Sequence, residues 1–129
     1  RYLDDPVAVA NVFRNALLDG ATGSALSLLA PEVLMYQDGG EQGSREDYAA
    51  KQIKKDIAFL GAYYVEVLSQ KSDMQDGMAW VSIRLRLLGK STDKPLEHFG
   101  SETLVLRRSA TGWQIVHRHW STSRGGNVE

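Results

Sequence analysis

Two histidines stand two residues apart in the run Gly112-Trp113-Gln114-Ile115-Val116-His117-Arg118-His119-Trp120-Ser121. Imidazole offers two kinds of chemistry. As a neutral ring it is a zinc ligand, but zinc takes about four ligands. Beyond His117 and His119 the chain supplies only His98 and a few nearby acids. As a general base, histidine suits proton transfer near neutral pH, and Glu102 is the acid that would complete a dyad with His119. Each reading has a plainer counterpart. The histidines can bond neighbouring strands and secure a sheet, and Glu102 can pair across strands with Arg118 or Arg84. His119 and Glu102 are therefore candidates for catalysis rather than assigned residues, and neither a metal site nor a cofactor is expected.

The elements that must position these groups follow from periodicity. Alternation along an unbroken strand puts Trp113, Ile115, His117, His119 and Ser121 on one face and Gln114, Val116, Arg118 and Trp120 on the other. Asp4-Asp5-Pro6 reads as a helix start, with an Asx cap and proline in the first turn. Val9, Phe13, Ala16 and Leu17 then form one apolar stripe that ends at Gly20. A second short helix is expected from Ser24, burying Leu26, Leu28 and Leu29 and ending at Ala30-Pro31-Glu32. A short strand covers Val33 to Gln37, followed by the turn-rich stretch 38–43. Ser44 and Asp47 have capping-box spacing for a third helix, whose inner side is Tyr48, Ile53, Ile57 and Leu60.

After Gly61 the period becomes two. Strands are expected over Tyr63–Ser69, Met78–Leu88 and Glu97–Arg108, with a loop from Gly89 to Pro95. The short turn Ser109–Gly112 joins the last two strands as an antiparallel hairpin. Three helices followed by long antiparallel strands predict an α+β domain with helices on one face of a bent sheet.

Composition narrows the function classes. The chain has 129 residues, a formal net charge of -1, 43% hydrophobic and 24% charged residues, and no cysteine. That length suits one domain over residues 1–129. Disulfides, thiolate metal sites and a cysteine nucleophile are excluded. Near-neutral charge gives no general attraction to nucleic acid or to an anionic membrane, so neither is expected as a partner. Arg84, Arg86, Arg107 and Arg108 form a basic strip without the stacking aromatics of a nucleic-acid platform. Compartment stays open: the cytoplasm, or the periplasm if a leader was removed before Arg1.

Several segments together carry a resemblance. Phe13-Arg14-Asn15-Ala16-Leu17-Leu18-Asp19-Gly20, Glu32-Val33 and Ser44-Arg45-Glu46-Asp47-Tyr48 resemble the nuclear transport factor 2-like superfamily, in its SnoaL-like branch. Ala79-Trp80-Val81, Ser101 to Arg108, Gly112-Trp113 and the spacing of His117, His119 and Ser121 are similar to the association domain of calcium/calmodulin-dependent protein kinase II. The resemblance implies a cystatin-like cone, with a strongly bent, mostly antiparallel sheet wrapped around the first helix, and assembly as a dimer or larger. Three pocket arginines of the kinase hub correspond here to Ser82, Leu104 and Trp120, so a carboxylate grip of that form is not implied. The same alignment implies that Trp80, Ser82, Arg84, Glu102, Leu104, Arg118 and Trp120 face inward.

A fold shared by isomerases, cyclases, dehydratases and oligomerisation hubs does not decide function. The leading expectation is a homodimer, formed through the sheet, that binds a small, largely apolar molecule in the cone. Its pocket would be lined by Tyr36, Tyr48, Trp80, Ser82, Arg84, Glu102, Leu104, Arg118, His119 and Trp120. A ligand-free association module and an isomerase- or dehydratase-type enzyme using His119 and Glu102 are the alternatives. Core or dimer-interface packing accounts for the aromatics as well as a pocket does, and turn formation accounts for Asp38.

Overall fold

A computed structural model describes residues 1–91, 93–123 and 126–127, the last two by backbone only. After a 3-10 turn at Tyr2–Asp4, helix α1 spans Pro6–Leu18. Its start is the expected one: the Asp5 carboxylate accepts a hydrogen bond from Val7 N at 2.9 Å, with Pro6 as the first helical residue. Helix α2 covers Thr22–Ser27, and strand β1 runs Leu29–Gln37. Both depart from the expected boundaries. The helix starts two residues before Ser24, and Ala25 rather than Leu26 is its buried residue. The strand begins before Pro31, which is exposed on it and takes no place in the core.

Strand β2 (Gly40–Gly43) folds back on β1. Asp38 and Gly39 make that turn with φ of 49° and 87°, the left-handed pair that a tight hairpin uses. A composite helix follows: an α turn α3 at Arg45–Asp47, a π-turn at Tyr48–Gln52 and helix α4 at Ile53–Gly61. Ser44 and Asp47 form the expected capping box in full. Strands β3 (Tyr63–Gln75), β4 (Met78–Gly89), β5 (Leu96–Ser109) and β6 (Gly112–Thr122) then make an antiparallel meander, and β7 (Gly126–Asn127) adds to β5. Strand β3 is six residues longer than expected from its apolar portion, because its second half is polar and exposed. Thr92, in the loop before β5, lies outside the described residues.

The sheet order is β2-β1-β6-β5-β4-β3, with β1 and β6 parallel and the other pairs antiparallel. It curls over α1, whose Val9, Ala10, Phe13, Ala16 and Leu17 are buried against the inner sheet face. That face is Ala79, Val81, Ile83, Leu85 and Leu87 of β4, Leu104 and Leu106 of β5, and Trp113, Ile115 and Trp120 of β6. On β4 the apolar set therefore points in. Trp80, Ser82 and Arg84, implied by the hub alignment to face inward, stand on the outer face instead.

The uniform alternation expected for β6 also fails, for a definite reason. Val105 pairs with His117 but Leu106 pairs with Ile115, so Val116 is an extra residue opposite no partner. A bulge of this kind shifts the face of every residue beyond it. Trp113 and Ile115 point inward before it, and Arg118 and Trp120 point inward after it. His117 and His119 are turned out.

Candidate functional site

The interior at the β6 end is built around one buried cation. Arg118 from β6 is 2% exposed; its Nε donates to Glu102 Oε2 at 2.6 Å and its Nη1 to Asp56 Oδ2 at 3.1 Å. Glu102 sits beside it because Leu104 pairs with Arg118 and Glu102 with Trp120 across the β5–β6 ladder. Asp56 comes from α4 and shares its Oδ2 with the Tyr48 hydroxyl, which donates at 2.6 Å. Gln52 Nε2 donates to the other carboxylate oxygen at 3.2 Å.

The π-turn is what lets the helix deliver Tyr48 and Asp56 together. Residues eight apart on a regular α-helix are rotated by about 80°, but those seven apart by only about 20°. A π-turn takes up one extra residue, so Tyr48 and Asp56 align as a seven-residue pair would.

Electrostatics fit this arrangement. Burial works against a charged guanidinium, but Glu102, the Tyr48 oxygen and Asp56 outweigh it and hold Arg118 above the ordinary arginine pKa. Burial pushes the Tyr48 hydroxyl up strongly; Arg118 opposes and Asp56 reinforces the shift. The phenol stays protonated and serves as a donor. A second cation, Arg14 of α1, is held down by burial and partly restored by the charge of Glu102. Its Nη2 donates to Asn11 Oδ1 at 2.9 Å, an oxygen that also accepts from Gln70 at 2.9 Å.

Aromatic rings surround the network. The Arg118 guanidinium lies 5.3 Å from the Phe13 ring centre and 5.1 Å from that of Trp120. Trp120 approaches Phe59 at 5.9 Å; Phe59 in turn meets Tyr63 at 5.0 Å and His98 at 5.9 Å. His98 bonds the Tyr63 hydroxyl at 2.9 Å through Nε2 and Ser123 O at 2.8 Å through Nδ1. Two buried donors, Trp120 Nε1 and Arg14 Nη1, meet no acceptor among the described residues.

Of the residues singled out from sequence, Tyr48, Glu102, Leu104, Arg118 and Trp120 come together inside. Tyr36, Trp80, Ser82, Arg84 and His119 do not: they lie on the outer face, where Trp80 is 43% exposed. Tyr36 stacks edge-on to His117 at 5.4 Å and to His119 at 5.9 Å, and His117 Nδ1 bonds Leu34 O at 2.8 Å. His119 and Glu102 thus occupy opposite sides of the sheet, and the dyad is not assembled. Among the described residues no three histidine or acidic side chains gather as a metal-ligand set.

Sequence reasoning missed Asp56, Arg14 and Gln52. Asp56 had a signal: it is an acid flanked by Ile53, Ile57 and Leu60 on the inner side of a helix, where a charge needs a buried partner.

Comparisons with known proteins agree with this architecture. The model of the SnoaL-like domain matches residues 9–124. A provisionally assigned ketosteroid isomerase from Shewanella frigidimarina is 28% identical, superposes with a TM-score of 0.82, and the match covers 88% of this chain and 91% of that one. A provisionally assigned calcium/calmodulin-dependent protein kinase type II association domain from Thiobacillus denitrificans is 18% identical, with a TM-score of 0.79 over 94% and 97% of the two chains. An NTF2-like protein with a cystatin-like fold from Novosphingobium aromaticivorans is 12% identical, with a TM-score of 0.71 over 88% and 76%. No curated protein sequence matches the chain.

Proposed function

The chain belongs to the family of SnoaL-like domains, and on that footing we propose that it binds a small, largely apolar molecule inside the cone, as a homodimer formed through the sheet. The observation that carries this reading is the aromatic run from Trp120 through Phe59 to Tyr63 and His98. Tyr63 lines a groove of about 550 Å³ with Gly61, Ala62, Gly89, Lys90 and Leu96, a volume within the usual range for ligand sites. These edge-on and tilted rings supply apolar area. Two ring contacts away from Tyr63, through Phe59, the buried Trp120 N–H meets no acceptor among the described residues, and a buried donor left unpaired is costly. A ligand with an apolar body and one oxygen acceptor meets both demands.

Binding is favoured over catalysis because both interior carboxylates are committed. Asp56 and Glu102 each hold Arg118, and Asp56 also accepts from Tyr48 and Gln52. The name of the Shewanella relative suggests proton transfer, but here neither acid is free to face a ligand. The association reading retains one observation of its own: the outer face exposes Leu34, Tyr36, Met78, Trp80 and Phe99, more apolar area than a solvated sheet needs.

A thermal-shift and fluorescence titration with small cyclic ketones tests the binding reading. Trp120→Phe keeps a ring and removes the N–H, and should weaken binding about tenfold, the worth of one buried hydrogen bond. If no ketone raises the melting temperature, or if Trp120→Phe and Phe59→Ala both bind as the parent does, the reading fails.

A further inference from the structure

Three rings on the outer face of the β1–β6 pair belong neither to the buried network nor to the aromatic interior. His117 and His119 stand there because the extra residue Val116 reverses the facing of β6 beyond it. Without that bulge both imidazoles would follow Trp113 and Ile115 into the core. Tyr36 of β1, paired with His119 across the parallel ladder, completes the group. Its ring centre lies 5.4 Å from that of His117 and 5.9 Å from that of His119, and the two imidazole centres are 6.5 Å apart.

One imidazole is already set for coordination. His117 Nδ1 lies 2.8 Å from Leu34 O. A carbonyl only accepts, so Nδ1 carries the proton of that bond, and a ring carbon would not come so close. The ring's orientation and its neutral tautomer both follow: Nε2 holds the lone pair, and it has no partner among the described residues. Metal-binding histidines are held in this way, with the other ring nitrogen donating to a backbone carbonyl or a carboxylate.

The second imidazole is free to move. His119 is exposed, and neither of its ring nitrogens has a partner among the described residues. Two imidazoles on one ion, each nitrogen about 2.1 Å from it, have ring centres about 5 Å apart. His119 closes the present 6.5 Å to that distance by a side-chain rotation that breaks no hydrogen bond. A nitrogen-to-metal bond displaces water from the ion itself, so an accessible lone pair is what the chemistry needs.

We propose that His117 and His119 chelate one divalent transition ion on the outer face of the sheet. Copper(II) is held more tightly than nickel(II) or zinc(II), the order that nitrogen ligands follow. Two protein nitrogens leave the remaining positions to water, so the ion exchanges and the fold does not depend on it. Magnesium prefers oxygen ligands and is passed over. The chelate is complete within one chain and rests on neither the aromatic interior nor the sheet-face dimer.

Calorimetric titration of the untagged full chain with copper(II), zinc(II) and magnesium chloride provides the test, with electron paramagnetic resonance on the copper-loaded protein. Copper(II) and zinc(II) should each saturate at one ion per chain, copper more tightly, and magnesium should give no binding. The copper spectrum should show coupling to two imidazole nitrogens. His119→Gln changes an exposed side chain and should lower the copper affinity at least tenfold, leaving one coupled nitrogen and an unchanged melting temperature without metal. Trp80→Glu, which alters the same sheet face away from the pair, should bind copper no less tightly than the parent. Protons compete for the same lone pairs, so affinity should fall between about pH 7.5 and about pH 5.5. The proposal is overturned by the absence of saturable one-to-one binding, by magnesium binding as zinc does, by His119→Gln titrating like the parent, or by loss of the ion in Trp80→Glu.

Discussion

Arg118 is the residue on which the interior depends. It forms ion pairs with two buried carboxylates, Asp56 and Glu102. Breaking a buried pair from one side costs about 3–5 kcal/mol, whereas replacing the whole group by apolar residues is often neutral. Arg118→Met should therefore lower unfolding stability by about that amount in urea titrations. Adding Glu102→Leu and Asp56→Leu to it should recover most of the loss. Tyr48 makes a separate, pH-dependent contribution. Its folded pKa is raised, while an unfolded tyrosine titrates near about 10. Above that pH the unfolded chain has lost the proton and the folded chain keeps it, so stability is fully present below about pH 10 and falls as pH rises. Tyr48→Phe should make the alkaline decline shallower by about 1.4 kcal/mol per pH unit. Unfolding midpoints between about pH 9 and pH 11 measure it.

At the scale of elements, irregularities decide where side chains go. The turn into β6 is held by Gly112, with φ of 133°, where a Cβ would lie 2.7 Å from Leu3 Cβ and 2.8 Å from Leu3 O. Gly112→Ala should cost about 1–3 kcal/mol through strain and overpacking, seen as a lower melting temperature. Much of the regular framework was legible from sequence. The stripe Val9, Phe13, Ala16 and Leu17, the Ser44–Asp47 capping box and the alternation of β4 each follow from local rules, and the structure keeps them. The Glu102–Arg118 pair was also visible as a cross-strand possibility. The facing of β6 was not, because Val116 is an ordinary strand residue and nothing in its type announces a bulge. Nor was the π-turn, which changes the phase of a helix without any change in its apolar pattern. Both hide in register, and register is set by tertiary pairing.

At the scale of the molecule, the outer sheet face carries the proposed dimer. One row across it reads Leu34, His117, Val105, Trp80 and Asp73, each paired with the next along the ladder. Trp80 stands beside Val105, the middle residue of the row, as its largest exposed ring, the type of residue that anchors interfaces. The parent should sediment as a dimer at low micromolar concentration, and Trp80→Glu should shift it to monomer without lowering the unfolding midpoint of the subunit. A monomeric parent would remove both the dimer and the association reading. Among the described residues no helix is long and apolar enough to cross a membrane.

The parallel pairing of β1 with β6 also has a consequence for how the molecule comes into being. Leu34 and His117 are 83 residues apart in the chain, and the strands between them cannot close the sheet alone. Such distant pairing slows folding, since a large loop must be ordered before the contact rewards it. During synthesis α1, β1 and β2 leave the ribosome well before β6, and one edge of β1 waits open through that interval, a surface on which early chains can mispair. The buried network waits as well, because its cation, Arg118, follows Asp56 by 62 residues. Emergence of β6, rather than of the helices, is what allows the β1 edge to be covered and the sheet to be completed.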